Sequence, residues 1–179
     1  MLAPAATVAP RPPEASWEAG GAFPIPALTA AQALDEALGI ERGGWVVVNG
    51  AGGVTGGLLV QLAAARGASV IATASAKKAE RIRGYGASEV LDYHGDWPAL
   101  AREITGDPPR GERGVAVSDV YVRPDGRRLS VLGELLAHGT LSVPIASVRP
   151  LDQAAQALRE VVAGADGAII LSLEPSLAL

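Results

Sequence analysis

Apolar and polar positions along this chain fall into alternating short runs and longer helical stripes. Leu28, Ala31, Leu34, Ala37 and Leu38 recur at helical spacing, and Gly39 closes that helix. Trp45 to Asn49 is a compact apolar run that predicts a buried strand, and Val54 to Arg66 predicts a helix. The rhythm repeats with a strand at Ser69 to Ala74, a helix at Ala76 to Tyr85 and a strand at Glu89 to Tyr93. Asp96 is placed to cap a short helix through Arg102, where Pro98 sits harmlessly in the first turn. Strands that alternate with helices in this way predict an α/β fold, with a mostly parallel sheet and helices on both faces.

Past Arg102 the rhythm breaks. Residues 104–114 form a loop rich in Pro, Gly and Arg, and Val115 to Val122 predicts a strand. A helix starts at Asp125 or Gly126, carries Leu129, Leu132, Leu135 and Leu136 on one face, and ends at Gly139. Leu141 to Val148 reads as extended, interrupted by Pro144 and so an edge or a connection. A helix at Leu151 to Val162 and a strand at Ala168 to Leu173 complete the pattern. Met1 to Pro26 holds six of the 13 prolines and reads as an irregular arm, with residues 27–179 as a single domain. Trp17, Trp45 and Trp97 are expected to anchor packing.

Composition narrows the function classes. With 179 residues, 49% of them apolar, the chain can bury a core, and 4% aromatics means Ala, Val, Leu and Ile must build it. A net charge of −4 without a basic stripe argues against nucleic acid as a partner. The absence of cysteine excludes disulfides, thiolate nucleophiles and sulfur-ligated metals, and no His/Asp/Glu grouping has metal-ligand spacing. No apolar run is long enough to span a membrane and no secretory leader is evident, so the cytoplasm is the expected compartment.

The candidate chemistry lies between the first strand and its helix. In Asn49-Gly-Ala-Gly-Gly-Val-Thr-Gly-Gly57, the spacing Ala51-x-Gly53-x-x-Gly56 fits a dinucleotide fingerprint with alanine in the first glycine's place. Gly53 would let backbone approach a pyrophosphate at the positive end of the helix, and Gly56 would let helix and strand pack closely. At the end of the second strand, Ala74-Ser75 offers no carboxylate for a ribose hydroxyl. Ser75 can instead donate to a phosphate, and Lys77, Lys78 and Arg81 follow. This pattern favours NADP(H) over NAD(H).

Other constellations are missing. No tyrosine is followed four residues later by lysine, and Gly-x-Ser-x-Gly is absent. His94 reads as a loop residue and His138 as a helix C-terminal cation. Asp92, Asp96 and Asp107 read as caps and turn residues.

Several stretches together resemble the medium-chain dehydrogenase/reductase superfamily, in its zinc-free, quinone-oxidoreductase-like branch. They are Thr29-Ala-Ala-Gln-Ala-Leu34, the turn Asn49 to Gly57 with Val60-Gln-Leu-Ala63, and Val70-Ile-Ala-Thr-Ala-Ser75 with Lys77-Lys78. Gly86-Ala87, Val90-Leu-Asp-Tyr93, Val122-Arg-Pro-Asp-Gly126, Gly139-Thr-Leu141 and Pro150-Leu-Asp-Gln-Ala-Ala155 extend the likeness from about Val8 to Leu173. The resemblance implies a Rossmann-type doubly wound domain that transfers hydride from NADP(H) to a quinone or an activated C=C bond, as a homo-oligomer, most simply a dimer. It implies cofactor contacts from Asn49, Gly50, Ala51, Gly52, Gly53, Val54, Thr55, Gly56, Ser75, Lys78 and Tyr93. It assigns no catalytic side chain and no metal, because such a transfer needs alignment of two carbons more than an acid or base.

The departures matter too. Family members begin with a separate catalytic barrel, and this chain begins about where that barrel ends. Two strand–helix units usual between Tyr93 and the Val115 strand are missing, with a seam expected near residues 102–104. Two further readings therefore stand beside the first. The chain could be a catalytically incomplete nucleotide-binding or scaffold module completed by a partner chain, or a Rossmann fold reused for a non-redox ligand.

Overall fold

The structure, a computed structural model, describes residues 2–40, 42–106 and 119–173. The chain forms two compact units, one of Leu28–Arg123 and the other of Met1–Ala27 with Pro124–Leu179. All five strands among the described residues pair in parallel, three in one sheet and two in another.

In the first unit, β1 (Trp45–Val48), β2 (Ser69–Ala74) and β3 (Glu89–Asp92) lie side by side in that order. Their connections are the helices α3 (Val54–Ala65) and α4 (Ala76–Gly84), as parallel strands require. β2 is the middle strand, and Val70 to Ala74 are all buried. α3 turns Leu58, Val60 and Leu62 inward, and α4 contributes Ile82. After β3, Asp96 accepts from the Ala99 N–H at 3.2 Å and starts α5 (Trp97–Thr105). α5 runs unbroken through residues 102–104, where the seam is expected, and ends at Gly106. The expected strand Val115 to Val122 lies largely outside the described residues, and residues 119–122 belong to no strand.

Before β1, the helix starts earlier than its stripe suggests. α2 (Pro24–Gln32) continues as a wider π-helical stretch, Ala33–Leu38, that ends at Gly39 with φ +52°. Leu28, Ala31 and Leu34 are buried as the stripe requires, but Leu38 is 54% exposed. A π turn holds more residues than an α turn, so the positions after it rotate off the buried face. Buried Gln32 fastens the far end of this unit. Its amide donates to the Arg123 carbonyl at 2.9 Å and accepts from the Arg123 N–H at 3.0 Å.

In the second unit, β4 (Ile145–Pro150) pairs with β5 (Ala168–Ser172), and α1 (Trp17–Ala22) and α7 (Ala154–Val162) pack against both. The segment read as an irregular arm therefore contains a helix. Ser16 caps α1 through the Ala19 N–H at 3.1 Å. α6 (Gly126–Ala137) starts with Asp125 accepting from the Arg128 N–H at 2.9 Å. Its Gly126 and Gly133 lie two turns apart on one face, where the Val8 carbonyl and the Pro12 ring approach closely. A Cβ at either position would push those groups away.

The tryptophans depart from expectation. Trp17 is 78% and Trp45 44% exposed, so neither anchors a core. Trp17 instead carries the Arg11 guanidinium 4.2 Å above its ring. No described helix is long and apolar enough to cross a membrane.

Candidate functional site

The glycine turn follows β1, and β2 behind it holds its shape. Gly50 has φ +84°, a backbone conformation that residues with a Cβ resist. Thr73, wholly buried in β2, ties the turn from beneath. Its hydroxyl accepts from the Gly50 N–H at 3.0 Å and donates to Asn49 Oδ1 at 2.6 Å, and its carbonyl accepts from the Ala51 N–H at 3.0 Å. Both functions of this buried hydroxyl are used, so it escapes the roughly 1–3 kcal/mol cost of an unsatisfied group. Ala51 is itself wholly buried and shapes the turn from behind.

Gly53 is the N-cap of α3, and no side chain caps the helix. The first helical bond runs from the Gly57 N–H to the Gly53 carbonyl at 2.9 Å. The N–H groups of Val54, Thr55 and Gly56 precede it, at the positive end of the helix dipole. Gly56 makes the close approach possible. A Cβ there would lie 2.5 Å from the Gly50 carbonyl oxygen and 2.9 Å from Ala51 Cα, both rigid backbone. These features fit a pyrophosphate: an uncapped helix start, a glycine turn crowded against it, and a shape set in advance.

The next strand ends at the same edge. The register pairs Val48 with Ala72 and Ala74 with Asp92. Ser75 and Tyr93 therefore follow side by side, beyond the C-terminal ends of β2 and β3, where open α/β sheets bind ligands. Ser75 is the N-cap of α4, but its hydroxyl makes no capping bond. Tyr93 is 48% exposed and its ring lies 3.9 Å from that of His94. The His94 N–H is held by Asp92 Oδ1 at 3.0 Å, which makes this a turn at the strand end.

Lys78 and Arg81 join the two halves of the site. Lys78 Nζ donates to the Gly52 carbonyl at 3.2 Å, and Arg81 Nη2 donates to the same oxygen at 3.3 Å. The Lys78 stem lies so close that a Cβ on Gly52 would meet its Cδ at 2.9 Å. Asn49, Gly50, Gly52, Gly53, Val54, Thr55 and Gly56 thus share one turn, with Ser75 and Lys78 joined to it through α4 and Tyr93 at the neighbouring strand end. Sequence reasoning missed Thr73, whose partners lie 23 and 24 residues away. The only local signal was a hydroxyl residue in an otherwise apolar strand. Among the described residues no group of His, Asp or Glu is placed to hold a metal ion.

No family model matches the chain. It is 42% identical over 88 residues to a chloroplastic quinone-oxidoreductase homolog of Spinacia oleracea, a stretch that is 46% of this chain and 27% of the relative. It is 39% identical over 99 residues to the medium chain reductase pydE of an Acremonium species, covering 54% of this chain and 27% of that one. Among solved structures, an NAD-dependent alcohol dehydrogenase superposes with TM-score 0.80 at 25% identity, over 96% of this chain and 63% of its own. A mycobacterial protein complexed with NADPH superposes with TM-score 0.71 at 23% identity, over 89% and 66% respectively. The matches span little more than a quarter of these curated relatives and about two thirds of the solved ones.

Proposed function

We propose that this chain, a partial-length relative of the quinone-oxidoreductase-like medium-chain dehydrogenases/reductases, binds NADP(H) and serves hydride transfer to a quinone or an activated C=C bond. Its solved relatives include one named for NAD and one complexed with NADPH, so kinship alone leaves the cofactor open. The observation that carries the choice is the gathering of Lys78 and Arg81 on the Gly52 carbonyl. They stand on the helix that Ser75 begins, at a strand end with no carboxylate to hold a ribose diol.

In this reading the first turn of α3 holds the pyrophosphate, and Gly53 and Gly56 leave room for it. Ser75 and Lys78 take the ribose phosphate, with Tyr93 beside them. The nicotinamide supplies the hydride, and the chain's part is to hold the dinucleotide so that its reactive carbon is aligned. A second reading is a nucleotide-binding module that does not turn over alone.

Calorimetric titration with NADPH and NADH tests the cofactor. NADPH is expected to bind at least about tenfold tighter, with Lys78→Ala closing most of that gap. Oxidation of NADPH in the presence of a benzoquinone then separates the readings: turnover supports the reductase, and tight binding without turnover supports the module. If neither nucleotide binds, both fall.

A further inference from the structure

We infer that the outer face of α7 is where two copies of this chain meet, as an antiparallel pair of helices. The inference concerns the unit of Met1–Ala27 with Pro124–Leu179 and stands apart from the nucleotide reading. α7 and the 3-10 turn before it, Leu151–Gln153, carry apolar residues on two faces. The inner face is occupied. Ala157 is buried there, and Glu160 is held by Arg149 of β4 through two bonds, Nε to Oε2 at 3.0 Å and Nη2 to Oε1 at 2.7 Å. That double bond fixes the rotation of the helix, so Leu151, Ala155, Leu158 and Val162 lie on the side exposed to solvent. Leu158 is 65% and Val162 81% exposed. Their spacing of four, three and four is that of a coiled-coil seam.

The charges beside the seam choose its occupant. Asp152 and Arg159 lie one heptad apart on the same flank, and both are exposed. Among the described residues neither side chain has a hydrogen-bond or ion-pair partner. An antiparallel second copy sets Asp152 of each chain against Arg159 of the other, twice over. The opposite flank then sets Ala154 against Val161, two apolar residues. A parallel pair would leave both charges facing that apolar flank. Antiparallel helices also place their dipoles favourably. The stripe and its charges are therefore complementary to themselves, which a twofold contact requires. The seam is short, so the pair belongs with the small interfaces, below about 1,200 Å², that form and part with concentration.

Sedimentation velocity of the whole chain over a concentration series reads the pairing. The wild type is expected to shift from monomer to dimer as concentration rises. Leu158→Asp should hold the chain monomeric, with circular dichroism and thermal unfolding unchanged because the site is exposed. Asp152→Arg and Arg159→Asp should each weaken the dimer by about fivefold or more, since each turns two attractions into two repulsions. Mixing these two variants should restore dimers of wild-type strength, because each supplies the charges the other lacks. A chain that stays monomeric at every concentration would overturn the inference. So would a dimer that Leu158→Asp leaves intact, since another face would then form it. Charge variants that pair as well as the wild type, or whose mixture does not recover, would overturn the antiparallel pairing.

Discussion

β2 and β5 are both short parallel strands of mostly aliphatic residues, yet Val70 to Ala74 are all buried and no residue of β5 is. β2 has a strand on each side and contacts from both α3 and α4. Among the described residues β5 has a single strand neighbour, β4, with α1 and α7 packed against the pair. The same difference extends to the largest fully buried side chains among the described residues. Leu34, Leu58, Val60, Val70, Ile71, Thr73 and Ile82 lie in the unit of Leu28–Arg123, and Leu141 alone lies in the other. Hydrophobic sequence is thus not the same as a core. A strand is buried along most of its length when both its edges and both its faces are occupied, as in β2.

The sharpest way to break the contrast is Gly56→Ala. The added methyl meets backbone that cannot rotate away, and overpacking of this kind costs about 1–3 kcal/mol or more. Nucleotide affinity should fall with it. Thermal unfolding and an NADPH titration of the variant read both effects, and an unchanged midpoint would show that the turn has slack.

A paired substitution sharpens it next. Ile71→Ala, at a wholly buried site in β2, is expected to cost about 2–5 kcal/mol. Leu171→Ala, at a site 40% exposed in β5, should cost about 1 kcal/mol or less. Urea midpoints of the two variants measure the gap, and equal costs would erase the distinction between the strands.

The smallest effect belongs to Glu18. Hydrogen bonds from its own backbone N–H and with Ser16 hold its carboxyl below the ordinary value of 4.5. A lowered native pKa favours the folded state above the unfolded value, and that share disappears as pH falls through the native one. An NMR titration of Glu18 should find its midpoint below 4.5. A midpoint at or above that value would mean α1 lacks this start.

The unit of Leu28–Arg123 was the more legible half because its signals are local. Periodicity placed β1, β2, β3, α3 and α4 to within a residue or so, and Gly53 and Gly56 marked the helix start. Asp96 and Asp125 were readable as caps for the same reason. The failures were of two kinds. The prolines around it drew attention away from α1, whose marker was Ser16 at its N-cap, and Trp17 and Trp45, expected to anchor packing, are exposed. The rest depends on contacts between distant residues. The division of the five described strands into two sheets, the Thr73 tie and the meeting of Arg81 with Gly52 across 29 residues leave no periodic trace.

Thr73 has one consequence that concerns time rather than affinity. Because a strand residue already holds Asn49, Gly50 and Ala51, the turn need not be ordered by whatever enters it. Its loss of chain entropy occurs during folding, so ligand encounter is not slowed by waiting for a rare loop shape. On the nucleotide-binding reading proposed above, the readiness of the turn is inherited from the middle of its sheet.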